Sequence, residues 1–227
     1  LCRVFMPQSS MNNFAKFIML LAGLKDVSRK PPVGVKADRF ESTAEHCFLA
    51  AWLAWFFAAK RSGLDVQRII KMALVHDLAK IPFGGKTPPL FAGGRKRTSD
   101  LVLRWPKLSQ AERNALMLEQ TRQEQKKVEK ILSLLDPKLR DEILVLWQEA
   151  EWGKSPEARF GWQVAVLENL IQAFIYYRRG YVFNLQPWLA HAKKFVDEPL
   201  LLDFLDALER MIEREISVRK SRRGRKR

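Results

Sequence analysis

Residues 42–59 read STAEHCFLAAWLAWFFAA, and this stretch decides the fold class of the chain. Ser42 and Glu45 stand three residues apart in the order of a capping box, in which each side chain accepts a hydrogen bond from the other residue's backbone N–H. The stretch therefore predicts a helix that begins after Ser42 and runs to about Arg61. Because apolar residues occupy nearly every side of this helix, we expect it to be central and buried. Its two tryptophans then belong to the core and not to a platform for stacking bases.

The same helical spacing of apolar residues continues along most of the chain. Segments with this pattern cover about 11–24, 65–81, 109–135, 138–152, 155–177, 186–196 and 199–218. No stretch shows the clear alternation of apolar and polar residues that is typical of a strand, and the sequence contains no internal repeat. We therefore predict an all-α fold, a helical bundle formed by a single domain over residues 11–218.

Four segments lack this helical pattern. Residues 1–10 are expected to form an N-terminal extension, and residues 30–39, which hold two prolines and a glycine, an extended loop. Residues 82–98 are rich in proline, glycine and basic residues, which predicts a mobile loop. Residues 219–227, RKSRRGRKR, carry seven positive charges and no apolar residue. They predict a disordered basic tail, which either contacts RNA, another polyanion or a targeting receptor, or only adds solubility.

The composition is that of a basic, folded protein. The chain has 227 residues, with 40 Lys and Arg against 25 Asp and Glu, and its formal net charge is +15. This excess favours polyanion partners, although a protein can also be basic without such a partner. Two cysteines exclude a disulfide framework and favour a reducing, intracellular compartment such as the cytoplasm. The longest apolar stretch has 13 residues, against about 20 for a membrane-spanning helix, so no span is expected.

Two of the three histidines stand where they could serve chemistry. His46 lies in the first turns of the apolar helix, and His76 ends the next helix and is followed by Asp77. Imidazole and carboxylate groups are common ligands of divalent metals in hydrolytic sites, and two packed helices could bring these three residues to one ion. A histidine in a helix is more often a core or surface residue, so the residue types alone leave both readings open. His191, on a helix near the end of the chain, is expected to be a surface or lid residue.

The surroundings of these residues resemble a known family. The stretches ESTAEH, at 41–46, and MALVHDLA, at 72–79, resemble the HD-domain phosphohydrolases, and most closely their 5′-deoxynucleotidase branch. The segment LKDVSR at 24–29 and the later stretch LENLIQA at 167–173 are also similar to that branch. The resemblance covers about residues 14–210 and implies an HD-domain helical bundle.

The resemblance also implies roles for individual residues. His46, His76 and Asp77 fall where the family places its metal ligands, so a divalent metal (Mn, Co, Mg, Fe or Zn) is the implied cofactor. Arg29 falls where an arginine contacts the substrate phosphate, a task that suits the planar guanidinium group. The implied substrate is a nucleotide or similar phosphomonoester. Members of this branch are often dimers, so the resemblance implies a homodimer as well.

The sequence departs from the family pattern at three positions. The family's fourth metal ligand, an aspartate in a later helix, aligns with Ala165, and a glutamate three residues after the His-Asp pair aligns with Lys80. An aspartate in the following loop aligns with Gly85, which is followed by Lys86. A cation near the site opposes metal binding, but an ammonium group can also hold phosphate, so Lys80 is a candidate site residue and Lys86 a candidate substrate-binding residue. Glu168, one helical turn from Ala165, is not a convincing replacement ligand.

Two functions from different classes follow. The first is a metal-dependent phosphohydrolase that acts on nucleoside 5′-monophosphates, in which Arg29 holds the phosphate and His46, His76 and Asp77 hold the ion. The second is a catalytically inactive HD scaffold that binds RNA, a nucleotide or a ribonucleoprotein through its basic surface. The retained ligands and Arg29 favour the enzyme, whereas Ala165 and Lys80 favour the scaffold.

Overall fold

The structure, a computed structural model, describes residues 8–29, 39–82 and 109–224. This part of the chain contains eight α-helices and no strand, which confirms the all-α prediction. The helices are α1 (Gln8–Ala22), α2 (Thr43–Ala58), α3 (Val66–Val75), α4 (Gln110–Leu132), α5 (Pro137–Trp152), α6 (Pro156–Arg178), α7 (Gln186–Phe195) and α8 (Pro199–Gly224). Short 3₁₀ turns cover Gly23–Lys25 and Leu78–Lys80.

The predicted helix starts are confirmed by their caps. Ser42 and Glu45 form the reciprocal capping box at the start of α2, and Ser109 forms a second capping box, with Glu112, at the start of α4. Asp65 caps α3 and Ser155 caps α6, each through a side-chain oxygen that accepts a backbone N–H. These caps satisfy backbone donors that the first turn of a helix leaves without partners.

Residues 25–77 and 145–227 form one compact unit, which holds the main core. Helix α6 is its central element, because α2, α3, α7 and α8 all pack against it. Its buried residues come from several sides of the helix and include Phe160, Val164, Leu167 and Leu170. Helices α2 and α3 also pack against each other, so the N-terminal end of α2 and the C-terminal end of α3 are held in place by a shared core.

The prediction that α2 is buried all round is wrong. Its small residues Ala50, Ala54 and Ala58 are buried, whereas Trp52 and Trp55 are exposed, as are Phe48 and Phe56. The physical reason is that alanines let two helix backbones approach closely, so the alanine side of α2 packs inward and the bulky side faces outward. Helix α6, and not α2, is the helix that is surrounded by the core of this unit.

Residues 1–24 and 78–144 form the second compact unit. Its core includes Val128, Ile131 and Leu132 of α4 together with Leu78 and Ile81 at the 3₁₀ turn. Lys127 donates from Nζ to the carbonyl oxygen of Ala79, at 2.7 Å, which ties α4 to that turn. That the whole of 11–218 is one domain stays a prediction.

The chain ends are more helical than expected. Helix α8 continues to Gly224, so the disordered tail predicted from residue 219 is wrong for residues 219–224. Within this stretch Arg219 pairs with Glu215 one turn earlier and stacks on the ring of Tyr177, contacts that support the helix at this point. Helix α1 likewise begins at Gln8, inside the expected extension.

Several other predictions fall wholly or largely outside the described residues. They are the extended loop at 30–39, nearly all of the mobile loop at 82–98, the first seven residues and the last three. Within the described part of the chain, no helix is both long and apolar enough to cross a membrane.

Candidate active site

The structure brings the three predicted metal ligands together. His46 lies in the first turns of α2, His76 caps the C-terminal end of α3, and Asp77 follows it. The two Nε2 atoms of the histidines lie 3.2 Å apart, and the Nε2 atom of His76 lies 3.6 Å from Oδ2 of Asp77. One ligand atom from each of the three residues falls within a span of 4.8 Å. This convergence follows from the packing of α2 against α3.

Each histidine is held through Nδ1, the ring nitrogen that faces away from the other histidine. Nδ1 of His76 lies 2.9 Å from the carbonyl oxygen of Ala73, which can only accept, so this Nδ1 carries the proton. Nδ1 of His46 contacts a carboxylate oxygen, Oε2 of Glu168 on α6. Such contacts fix the tautomer and the ring orientation of metal-binding histidines, so that Nε2 is the nitrogen that faces the ion.

The spacing of the donors fits a metal ion. Two ligands at about 2.1 Å from an ion lie about 3.4 Å apart when the geometry is tetrahedral. The observed 3.2 and 3.6 Å separations match this spacing. When both Nδ1 atoms carry the protons, the Nε2 lone pairs of His46 and His76 face each other, an arrangement that a cation or a shared proton stabilises. The residue types and the two distances therefore fit a group that could bind a divalent metal.

Arg29 is placed beside these ligands by backbone pairing. The segment around residue 28 forms an antiparallel bridge with Ser42, and the backbone N–H of Arg29 donates to the carbonyl oxygen of Glu41 at 2.8 Å. The guanidinium group then donates to Oδ2 of Asp77 at 3.2 Å and to Oδ1 of Asn169 at 2.7 Å. Its Nε atom lies 3.5 Å from Oε2 of Glu41. A permanent cation with several donors therefore lies next to the predicted ion position.

Two further carboxyl groups lie beneath the site, those of Glu41 and Glu168. Their exposed fractions are 8% and 0%, and together with His46 they form a second group of potential ligands. Burial raises the pKa of Glu41 to about 8, and the neighbouring Glu168 carboxylate adds to this rise. Burial also raises the pKa of Glu168 to about 7. Both side chains thus hold protons more tightly than an exposed glutamate does.

Glu168 contacts His46, and it cannot also act as the fourth ligand that the family pattern places at position 165. It approaches His46 from the Nδ1 side of the ring, whereas the predicted ion position lies on the Nε2 side. Its other oxygen, Oε1, is buried without a hydrogen-bond partner among the described residues. Ala165, where the family pattern has the aspartate, is a half-buried alanine whose carbonyl oxygen accepts from Nδ2 of Asn169 at 2.9 Å.

Three predicted residues remain, Lys80, Lys86 and His191. Lys80 is exposed at the end of its 3₁₀ turn, and its role stays a prediction. Lys86 lies outside the described residues. His191 is exposed, as expected, and its ring lies 4.6 Å from that of Phe195.

The sequence analysis missed three residues of the site. Asn169 accepts from Arg29, and Glu41 lies against the same guanidinium group. The buried hydroxyl of Tyr176 accepts from the backbone N–H of Glu41 at 2.7 Å and anchors the strand-like segment that carries it. The available signal was the spacing of two polar residues on α6, because Asn169 and Tyr176 lie seven residues apart and so share one side of the helix with Ala165, four residues before Asn169.

Comparisons with known proteins agree with this geometry. A family model described as an HD domain matches residues 21–199. The 5′-deoxynucleotidase HDDC2 of Danio rerio is 30% identical over 209 residues, which are 92% of this chain and 92% of that protein. The Homo sapiens protein of the same name is 30% identical over 161 residues, which are 71% of this chain and 67% of its own.

Solved structures share the fold. The crystal structure of a protein described as a predicted metal-dependent phosphohydrolase, from Magnetospirillum magnetotacticum MS-1, has a TM-score of 0.58 and 20% sequence identity. The match covers 92% of this chain and 97% of that one. The protein PH0347 from Pyrococcus horikoshii OT3 has a TM-score of 0.59 and 22% identity, over 86% and 98% of the two chains. At these identities the likeness concerns the fold.

Proposed function

This chain belongs to the HD-domain family, and we propose that it is a metal-dependent phosphohydrolase that acts on nucleoside 5′-monophosphates or similar phosphomonoesters. The proposal rests on one observation above all. The Nε2 atoms of His46 and His76 and a carboxylate oxygen of Asp77 converge at metal-ligand spacing, and the guanidinium group of Arg29 contacts the same carboxylate. The curated relatives are named as 5′-deoxynucleotidases, which supports the substrate class.

Each residue has a task in this proposal. A divalent ion held by the three ligands would polarise the phosphoryl group and lower the pKa of a bound water. Arg29 would bind the phosphate through its planar set of N–H donors, for which a dianionic phosphate is a stronger partner than the amide oxygen of Asn169. Glu168 would hold the ring of His46, and the carbonyl oxygen of Ala73 would hold that of His76, so that both Nε2 atoms face the ion.

The charge of the cluster also supports a cation. Within the described residues, the carboxyl groups of Glu41, Asp77 and Glu168 lie close to the two histidines and to one guanidinium group. Three ionised carboxylates and one guanidinium carry a net charge of minus two, which a divalent cation balances. Without a cation, the raised pKa values of Glu41 and Glu168 show that protons take over part of this balance.

The test is a metal census followed by an activity assay. Protein purified without chelator is analysed for bound metal, and phosphate release from deoxynucleoside 5′-monophosphates is then measured with Mn²⁺, Co²⁺ or Mg²⁺ added. His76→Gln should lose both the metal and phosphate release, whereas the matched control His191→Gln, at an exposed position, should keep both. If the purified protein neither binds a metal nor releases phosphate, the proposal that it is a phosphohydrolase is wrong.

A second candidate function is a scaffold of the same fold that binds a nucleotide or RNA without hydrolysing it. Ala165 favours it, because the position that supplies a fourth ligand in the family pattern offers only a methyl group and a carbonyl oxygen already bound to Asn169. This candidate predicts that the protein binds a nucleoside monophosphate but releases no phosphate. It also predicts that Ala165→Asp together with Lys80→Glu introduces turnover.

We propose separately that the basic C-terminal end of the chain binds RNA or another polyanion. Its residues 219–223 carry four positive charges at the end of α8. Binding through these charges should weaken steeply with added salt, and removal of residues 219–227 should lower both the affinity and the salt dependence. Binding that is insensitive to salt or to this truncation would contradict the proposal.

A further inference from the structure

Glu41 connects Arg29, the proposed phosphate ligand, to the rest of its compact unit. Among the described residues, four contacts hold Arg29, and Glu41 supplies two of them. The carbonyl oxygen of Glu41 accepts from the backbone N–H of Arg29 at 2.8 Å, and its carboxyl oxygen Oε2 lies 3.5 Å from Nε of the guanidinium group. The other two contacts come from the side chains of Asp77 and Asn169. The position of Glu41 therefore helps to determine where the guanidinium group lies.

The backbone N–H of Glu41 is held by a tyrosine hydroxyl. In a regular antiparallel pair, residues that exchange backbone hydrogen bonds exchange two of them. Here Arg29 donates to Glu41, but the N–H of Glu41 donates to the hydroxyl oxygen of Tyr176 at 2.7 Å. This bond is buried, so removal of the hydroxyl would leave a buried N–H without its acceptor.

The side chain of Tyr176 is a fixed point in the core. It is 4% exposed and lies near the C-terminal end of α6, the central helix of this unit. The rings of Phe40 and Tyr181 meet its ring edge-on, with centroids 6.1 and 6.2 Å away and interplanar angles of 85° and 77°. Edge-to-face contacts favour one orientation of a ring, and a tyrosine side chain has few torsions to restrain. The hydroxyl is therefore presented to Glu41 at a defined place.

The pair of segments that carries Arg29 needs such an anchor because it is short. Its other bonds come from Thr43, which donates to the carbonyl oxygen of Val27 through its backbone N–H at 2.7 Å and through Oγ1 at 3.2 Å. A two-stranded pair is only marginally stable without further packing. The capped start of α2 holds one end of this pair, and the bond from Glu41 to Tyr176 holds the other.

We propose that Tyr176 is a positioning residue for Arg29. Through the backbone of Glu41, its hydroxyl places the guanidinium group and so sets the affinity of the site for a phosphate group. This inference rests on the proposed function, in which Arg29 binds the substrate phosphate. The metal ligands lie at the start of α2 and the end of α3, which are held by their own shared core, so metal affinity should not depend on Tyr176.

The first experiment compares Tyr176→Phe with the wild type in steady-state assays on the deoxynucleoside monophosphate dAMP. The substitution keeps the ring and removes only the hydroxyl. Because Arg29 would contact the phosphate both before and during the reaction, KM should rise about 10-fold while kcat changes less than about two-fold. The matched control is Tyr181→Phe, which removes the hydroxyl of the neighbouring ring and should change neither constant.

The second experiment needs no turnover. Isothermal titration measures the affinity for inorganic phosphate with Mg²⁺ present and, separately, the affinity for Mn²⁺. Tyr176→Phe should bind phosphate about 10-fold more weakly and Mn²⁺ as tightly as the wild type, whereas a general loss of structure would weaken both. Thr43→Val, which removes the Oγ1 bond at the other end of the pair, should lower phosphate affinity as well. A chain that binds phosphate but releases none would refute the proposed hydrolysis and leave this prediction standing.

A double-mutant cycle tests whether Tyr176 acts through Arg29. Arg29→Lys has lost the planar guanidinium group, so the hydroxyl of Tyr176 has nothing left to position. Adding Tyr176→Phe to Arg29→Lys should therefore lower phosphate affinity less than about two-fold, against about 10-fold in the wild-type background. Circular dichroism shows whether each variant keeps the helical fold.

Four results would overturn the inference. The first is equal phosphate affinity of Tyr176→Phe and the wild type. The second is a full loss from Tyr176→Phe in the Arg29→Lys background, since the hydroxyl would then act by another route. The third is a parallel loss of Mn²⁺ and phosphate affinity in Tyr176→Phe, which would assign Tyr176 to stability alone. The fourth is a wild-type chain without measurable phosphate affinity, because Arg29 would then bind no phosphate.

Discussion

The contact between His46 and Glu168 makes a prediction that separates metal binding from stability. Glu168→Gln keeps the shape of the side chain and an oxygen that can accept from Nδ1 of His46, but it removes the negative charge. Loss of the charged partner of a metal-binding histidine typically weakens metal affinity about 10–100-fold. We therefore expect Glu168→Gln to bind Mn²⁺ or Zn²⁺ about 10–100-fold more weakly than the wild type.

The same substitution should stabilise the metal-free protein at alkaline pH. The folded pKa of Glu168, about 7, lies above the ordinary value of 4.5, so the folded state binds this proton more tightly than the unfolded state. The resulting stability is present below about pH 4.5 and is lost as the pH rises through 7. A shift of this size corresponds to roughly 3 kcal/mol, and Gln avoids that loss because it does not ionise.

The two effects are measured separately. Isothermal titration with Mn²⁺ gives the metal affinity, and urea unfolding with a chelator present, between about pH 5 and 8, gives the free energy of unfolding. Glu209→Gln, which breaks a surface ion pair with Lys193, is the matched control and should change neither quantity appreciably. If Glu168→Gln binds metal as tightly as the wild type, or is less stable than the wild type at pH 8 without metal, our reading of this contact is wrong.

Three further predictions follow from the same geometry. Arg29→Lys removes the planar set of donors that contacts Asp77 and Asn169, so kcat/KM for a nucleoside monophosphate should fall by about 10²-fold in steady-state assays while the helical content stays unchanged. Glu41→Gln, at a buried carboxyl with a pKa of about 8, should raise the unfolding free energy of the chelator-treated protein at pH 8 by a few kcal/mol and change it little at pH 4.5, as urea unfolding can check. Ser42→Ala removes the cap of α2 and should lower the unfolding free energy by about 1 kcal/mol in the same experiment, whereas Ser221→Ala, on the exposed end of α8, should not.

Local signals predicted most of the fold. The capping boxes at Ser42 and Ser109 marked their helix starts correctly, because a cap is decided by residues three positions apart. The inward side of α2 was not predicted, because its sequence is apolar on every side. The spacing of apolar residues then does not indicate which side faces the core. What decides the direction is the fit of small alanines against α3 and α6, which depends on residues far along the chain.

The site was predicted only as far as the sequence motifs reach. His46, His76, Asp77 and Arg29 were found through the resemblance, and the structure brings them together. The contact between Nδ1 of His46 and Glu168 joins residues 122 positions apart, and no local pattern encodes it. The contact of Arg29 with Asn169 spans 140 positions and is equally invisible in the sequence.

The buried acids beneath the site bear on the choice between enzyme and scaffold. An ionised carboxylate in an apolar interior is unfavourable unless it is paired or bound to a metal. In the metal-free chain Glu41 and Glu168 meet this cost through raised pKa values and through contacts with Arg29 and His46, and one oxygen of Glu168 stays without a hydrogen bond among the described residues. A scaffold that needed no cation would be more stable with apolar residues at these two positions. The cluster therefore supports the proposed cation at the histidines. In that proposal Ala165, in place of the family's aspartate, would weaken metal binding but would leave the buried acids with a partner.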